Sequence, residues 1–237
     1  MIIRRQGDSL LFMTQPDHAR LAADLLAHWT ADGFASHPRR EAVVLAAREH
    51  DNGWREVDDA PVFSSSTGMA LDFIAVTDEI KQSVWPRAIE RVGQTSAYAA
   101  ALVAQHAAAV YDAHRGKPAW ASFFADMESR RDQELARTIH SAEELATDYR
   151  FLSVVDLLSL SFCHAWTEEH ERSGCRVRYA DDGIEVSPDP FGEAVPVRIR
   201  ARRLPDRRFA SGADLRAAFD DTPPEIVEGF ARGGRSS

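Results

Sequence analysis

The sequence is poor in cysteine and has no long apolar run. Its 237 residues include two cysteines, Cys163 in an apolar stretch and Cys175 in a polar one. Two such cysteines make neither a disulfide framework nor a thiolate zinc site. No segment is apolar over the length of a membrane span, and the opening residues lack the apolar stretch of a signal peptide. We therefore expect a cytoplasmic protein that does not contact a membrane.

Several motifs that define large enzyme classes are also missing. The sequence has no glycine-rich phosphate loop after a strand, no Gly-x-Ser-x-Gly elbow and no His-Glu-x-x-His helix. Positive charge is scarce, because 28 Lys+Arg against 37 Asp+Glu give a net charge of −9. An acidic chain of this kind is not expected to bind nucleic acid. The hydrophobic content of 44% is typical of a soluble globular protein with a sizeable core.

The apolar periodicity predicts a mainly α fold. Two short apolar runs around Gly7 predict an N-terminal hairpin, and after Gly174 short alternating runs predict two or three antiparallel strands. Between them, helices are predicted within residues 16–29, 38–49, 77–92, 95–114, 120–146 and 149–166, with a last helix over 211–219 and a frayed end at 231–237. We expect a helical domain with its hairpin over residues 1–170 and a small C-terminal antiparallel β-rich appendage over 171–237.

One aspartate stands out inside the most apolar predicted helix. Asp156 interrupts the run FLSVVDLLSLSFC, and a carboxylate taken out of water without a partner costs several kcal/mol. His18 and His106 lie on apolar helical stripes, and the pair His50-Asp51 lies where a helix stops. Imidazole and carboxylate groups together suit divalent ions such as Mn, Zn, Fe, Co or Ni, and ligands from several helices often hold a metal inside a helical body.

Each of these residues also has a structural interpretation. A histidine on an apolar stripe, such as His106, is often a hydrogen-bonded core residue. His18 follows Pro16-Asp17 and suits a helix N-terminus, and Asp156 suits an ion pair with Arg150 or another cation across the core. Cys163 is interpreted as an inert core thiol.

The order and spacing of these residues resemble a known superfamily. A lone His18, then His50-Asp51 followed by Gly53, then a distant Asp156 on an apolar helix resembles the HD superfamily of helical metal-dependent phosphohydrolases, over residues 16–166. The segments TQPDHARLA, EHDNGW and DLLSLSFC are similar to an uncharacterised bacterial branch of that superfamily, defined only as a domain of unknown function.

This resemblance implies an HD-like helical bundle and a set of metal ligands. His18, His50, Asp51 and Asp156 would bind one divalent ion, with Asp51 at the catalytic centre and able to bridge two ions. His106 would be a ligand of a second ion, the alternative to a single one. For a phosphate substrate, the cationic and aromatic groups available nearby are Arg55, Lys81, Arg87 and Trp54.

The sequence departs from the HD pattern at two points. Some mononuclear members place a glutamate shortly after the His-Asp pair, whereas the nearest acids here are Glu56 and Asp58 at a different offset, so no general base is assigned. Dinuclear members carry two further histidines before the final aspartate. Here that interval holds His106, His114 and His140 without an adjacent His-His pair.

Three functions therefore remain open. The leading expectation is hydrolysis of a small phosphate ester or nucleotide by a metal-activated water. The alternatives are an HD-type diiron oxygenase of a small organic substrate and a non-catalytic HD-like module that binds a ligand or regulates. In each case the expected partner is a small molecule, and a homo-oligomer is compatible with the sequence.

Overall fold

The computed structural model describes residues 1–234 and combines helices with a large sheet in an α/β fold. The helices are α1 (Gln15–Ala27), α2 (Arg40–Glu49), α3 (Arg55–Asp58), α4 (Asp78–Gly93), α5 (Ala97–Val110), α6 (Ala121–Ala136), α7 (Ala142–His164) and α8 (Gly212–Asp221). The strands are β1 (Ile2–Gln6), β2 (Ser9–Met13), β3 (Val62–Ser64), β4 (Met69–Leu71), β5 (His170–Arg172), β6 (Cys175–Ala180), β7 (Gly183–Ser187), β8 (Val195–Pro205) and β9 (Pro224–Gly233).

Seven of these strands form one mixed sheet. Their order is β1-β2-β8-β9-β7-β6-β5, and β3 and β4 form a separate hairpin. Within the large sheet β7 and β9 run parallel, while the other neighbours are antiparallel. The N-terminal hairpin joins the C-terminal strands through β2 and β8, where Ser9 pairs with Pro205 and Phe12 with Arg202.

This sheet corrects the expected fold class. The interpretation as a mainly α or all-α protein with a small C-terminal appendage is wrong, because the predicted N-terminal hairpin and the C-terminal strands belong to one seven-stranded sheet. Local hydrophobic periodicity does not predict which strands pair when they lie so far apart in the chain. The strands of this sheet come from both sides of residue 170, and helices and strands share one apolar core.

Two boundaries also differ from the expectation. The charged segment predicted as one helix over 120–146 ends at Ala136, and α7 starts anew behind Ser141. There the Ser141 hydroxyl accepts a bond from the backbone N–H of Glu144 at 3.1 Å, and the Glu144 carboxylate accepts one from Ser141 at 2.8 Å, which is a capping box. Of the end predicted to fray, residues 231–233 belong to β9, whereas residues 235–237 lie outside the described residues.

Helix α7 is the element that connects the helices to the sheet. It contacts α1, α2 and α5 as well as β1, β5, β6 and β7. Its stretch from Phe151 to Ser159 is buried throughout, which explains the apolar run in the sequence. Within residues 1–234, no helix has the length and apolar character needed to cross a membrane.

The turn after α2 packs closely against α4. A Cβ atom added to Gly53 would lie 1.9 Å from the backbone oxygen of Val84. Arg91 donates to the backbone oxygen of Asn52 at 2.9 Å, and Arg87 donates to that of Gly53 at 3.3 Å. Glycine at position 53 therefore allows the turn that carries His50-Asp51 to lie against α4.

We predict that Gly53→Ala destabilises the protein by about 1–3 kcal/mol, because the added methyl group meets a backbone atom that has no room to move. Gly212→Ala is the matched control, since the nearest atom to its added Cβ is 3.5 Å away. The measurement is the free energy of unfolding from urea denaturation. Equal values for the two variants would show that the close approach does not constrain the turn.

Candidate metal centre

Five histidine and aspartate residues meet in the interior of the helical layer. His18 comes from α1, His50 and Asp51 from the end of α2, His106 from α5 and Asp156 from α7. The imidazoles are at most 2% exposed, and the two aspartates are 6% exposed. The structure thus brings together all the residues that the resemblance implies as metal ligands, and their role as ligands stays a prediction.

The donor atoms of four of these residues have the spacing of a coordination sphere. His18 Nε2 lies 2.9 Å from Asp51 Oδ2, 3.2 Å from His50 Nε2 and 3.7 Å from Asp156 Oδ1. His50 Nε2 lies 3.5 Å from Asp51 Oδ2 and 3.4 Å from Asp156 Oδ1. Metal–ligand bonds of about 2.1 Å separate neighbouring donors by about 3.0 Å in octahedral and about 3.4 Å in tetrahedral geometry. His18, His50 and Asp51 therefore fit a single ion, and Asp156 Oδ1 lies within 3.7 Å of both histidine donors.

Hydrogen bonds on the far side of two rings orient their Nε2 atoms toward the centre. His50 Nδ1 lies 2.8 Å from the backbone oxygen of Ala47, which only accepts, so Nδ1 carries the proton. The Ser159 hydroxyl donates to the backbone oxygen of Asp156 at 2.9 Å and so accepts from His18 Nδ1 at 2.8 Å. Both Nε2 atoms then present lone pairs to each other, and a proton or a metal ion must lie near them.

The electrostatics of the cluster favour a bound cation. Burial by itself would raise the pKa of Asp51, but His50 and His18 outweigh it and hold that pKa well below its usual range. The pKa of Asp156 is also lowered, because the effects of His50 and His106 outweigh that of burial. Burial opposes protonation of His50, yet the two carboxylates raise its pKa to about 10. The carboxylates therefore stay ionised, and a metal ion would displace the proton from His50.

A second aspartate on the same helix shows how this fold satisfies a buried carboxylate with a protein cation. Asp148, fully buried, accepts from Arg39 Nε at 2.6 Å and from the Tyr98 hydroxyl at 2.8 Å. Asp156 has no such partner within residues 1–234, where its ion-pair distances are to histidines only. Arg150 instead faces Asp32 at 4.0 Å. The predicted alternative of an Asp156–Arg150 pair is wrong.

His106 extends the cluster on one side. Its Nε2 lies 3.7 Å from Asp156 Oδ2, while Asp156 Oδ1 faces His18 and His50. The group of His50, His106 and Asp156 has its own potential to hold an ion. Burial lowers the pKa of His106 to about 4, so its ring is neutral. Its Nδ1 lies 3.3 Å from the Tyr149 hydroxyl.

The cluster opens into a cavity of about 430 Å³. Its walls combine the two aspartates and His106 with aromatic, apolar and cationic side chains, namely Gln15, Trp54, Phe73, Ile74, Lys81, Trp85, Ala109, Val110, Tyr111, His114, Leu160 and Arg172. A volume of this size suits a small molecule.

Of the four residues expected to bind substrate, two line the cavity and two do not. Trp54 and Lys81 line it. Arg55 instead pairs with Glu49 at 3.1 Å, and Arg87 donates to the turn at Gly53, so neither is among the lining residues. Sequence reasoning missed Arg172 as a lining residue because it lies in a short polar strand without a recognisable pattern.

These features define an α/β protein with a buried histidine–aspartate cluster, able to hold a metal ion, at the base of a cavity. The chain belongs to the family described as protein of unknown function DUF3891, whose family model matches residues 1–206. That range contains all five cluster residues and Arg172. No curated protein and no solved structure matches the chain.

We predict that Ser159→Ala weakens metal binding by about 10-fold to 100-fold, because His18 loses the bond that orients its ring. Ser161→Ala is the control on the same helix, since the Ser161 hydroxyl is buried without a hydrogen-bond partner. The dissociation constant for Zn²⁺ or Mn²⁺ is measured in competition with a chromophoric chelator. Equal affinities for the two variants would contradict the orienting role of Ser159.

Proposed function

We propose that this protein is an HD-type metal-dependent hydrolase of small phosphate esters or nucleotides. The observation that carries the proposal is the convergence of four donor atoms, from His18, His50, Asp51 and Asp156, at the base of a cavity with cationic walls. The order of these residues along the chain also resembles that of the HD superfamily.

A divalent ion held by these four residues would supply Lewis acidity to a phosphoryl oxygen and lower the pKa of a bound water toward about 7. Side chains of the cavity wall would then contact the substrate. Lys81 brings positive charge to the cavity, and its Nζ is held by a bond to the backbone oxygen of Ile74 at 2.7 Å. Trp54, Trp85 and Tyr111 form an aromatic wall for the organic part of the substrate.

The two acids that follow the His-Asp pair most closely in sequence, Glu56 and Asp58, do not serve as a general base at this site. Glu56 is exposed and forms an ion pair with Arg91. Asp58 is buried and accepts from the backbone N–H of Gln15 at 2.6 Å. Neither is among the residues that line the cavity, whose carboxylates are those of Asp51 and Asp156. Catalysis therefore depends on the metal-binding carboxylates and the charged walls.

A second candidate function rests on the group of His50, His106 and Asp156. Asp156 Oδ1 faces His18 and His50 and Asp156 Oδ2 faces His106, so His50, His106 and Asp156 could hold an ion of their own. Two irons in this arrangement would favour the diiron oxygenase. The number and identity of the bound metals separate the two proposals.

We predict about one equivalent of Mn, Zn, Co or Ni per chain in protein purified without chelators or a metal-affinity column, measured by elemental mass spectrometry. Asp51→Ala should lose this metal, because it removes a ligand and the charge that attracts the ion. Asp59→Ala, a nearby exposed aspartate, should retain it. Two equivalents of iron would instead support the oxygenase.

Activity is then tested on a panel of phosphate monoesters, diesters and nucleotides with metal-loaded protein. We expect turnover of at least one class, and a loss of about 100-fold or more in kcat for Asp51→Ala. A folded, metal-loaded protein without turnover on the whole panel would contradict the hydrolase proposal. Metal-free wild-type protein would contradict the metal centre as well.

A further inference from the structure

Arg172 reaches the cavity from the sheet. It ends β5, a short edge strand in which it pairs with Cys175 of β6, and it lines the same cavity as Asp51 and Asp156. Its side chain makes no hydrogen bond and no ion pair with any other of residues 1–234. A cationic side chain without a partner at a cavity wall is available to a ligand.

The neighbouring basic residues are already engaged. Lys81 donates to a backbone oxygen, and His114 Nδ1 lies 2.9 Å from Lys117 Nζ. Arg91 pairs with Glu56. Among the cationic side chains of the cavity wall, Arg172 is therefore the one without a partner in residues 1–234.

Arg172 also lies close to the cluster. It lines the same cavity as His106 and Asp156, and Asp156 Oδ2 lies 3.7 Å from His106 Nε2.

Two residues of the cavity wall also carry buried polar atoms without a hydrogen-bond partner. Gln15 is 1% exposed and Trp85 is 3% exposed, and both line the cavity. Gln15 Oε1 and Trp85 Nε1 are buried without a hydrogen-bond partner. Leaving such groups unpaired is unfavourable, so a bound molecule that pairs with them would recover free energy.

We propose that Arg172 binds the phosphoryl oxygens of the substrate, with Gln15 and Trp85 offering hydrogen bonds to the rest of the molecule. This inference rests on the proposed hydrolase function. A guanidinium group suits the task because its parallel N–H groups bind two oxygens of one phosphate. The substrate is then a small phosphate ester with an apolar or aromatic body and at least one polar group.

The first test uses inorganic phosphate as the probe, titrated into metal-loaded protein by calorimetry. Arg172→Gln should weaken phosphate binding by about 10-fold to 100-fold, the loss expected for hydrogen bonds to a charged group. Arg172→Lys should recover part of the affinity, because it restores the charge without the paired donors. Arg176→Gln is the control, since Arg176 is exposed on the adjoining strand and lies 3.7 Å from Glu169. Metal content and thermal unfolding of all variants should match the wild type.

Unchanged phosphate binding in Arg172→Gln, or no binding by the wild type, would overturn the role of Arg172. Should Arg172→Gln fail to fold, Arg172→Lys decides, with equal affinity to the wild type counting against the inference. Ester hydrolysis is measured separately. Arg172-dependent phosphate binding without turnover would leave this site standing and remove the hydrolase function. Turnover with KM and kcat unchanged in Arg172→Gln would remove the inference alone.

Discussion

The structure depends on two buried carboxylates that have no arginine or lysine partner within the described chain. Asp51 and Asp156 are 6% exposed and are surrounded by three imidazole rings. Removing a carboxylate from water is unfavourable unless positive charge accompanies it. His50 supplies one positive charge, because the two carboxylates raise its pKa to about 10. The carboxylates and imidazoles together form groups that could hold a metal ion in place of that proton.

The contrast with Asp148 on the same helix strengthens this interpretation. There Arg39, Tyr98 and His37 surround the carboxylate, so the protein satisfies it without any added group. Two turns further along α7, the partners of Asp156 are side chains that divalent metals bind well. One helix thus carries a structural carboxylate and a carboxylate available for coordination, and the identity of the neighbours distinguishes them.

The sheet contributes a side chain to the cavity beside the histidine–aspartate cluster. Helices supply the cluster, whereas β5 supplies Arg172 to the cavity wall. Because β5 packs against α7 and belongs to the same sheet as β1 and β2, the position of Arg172 depends on strands from both ends of the chain. The C-terminal strands are therefore part of the architecture of the site and not an attachment to a helical domain.

The sequence by itself indicated most of the longer helices and the residues that form the cluster, although it misplaced the break between α6 and α7. Apolar periodicity reports which face of a helix is buried, and His18, His106 and Asp156 stood out as polar residues on such faces. Only the tertiary structure showed the seven-stranded sheet. It also showed that Arg172 lines the cavity and that Arg55 and Arg87 do not. Strand pairing such as Ser9 with Pro205, and the direction in which a long cationic side chain lies, depend on packing between distant segments. Local patterns contain no information on either.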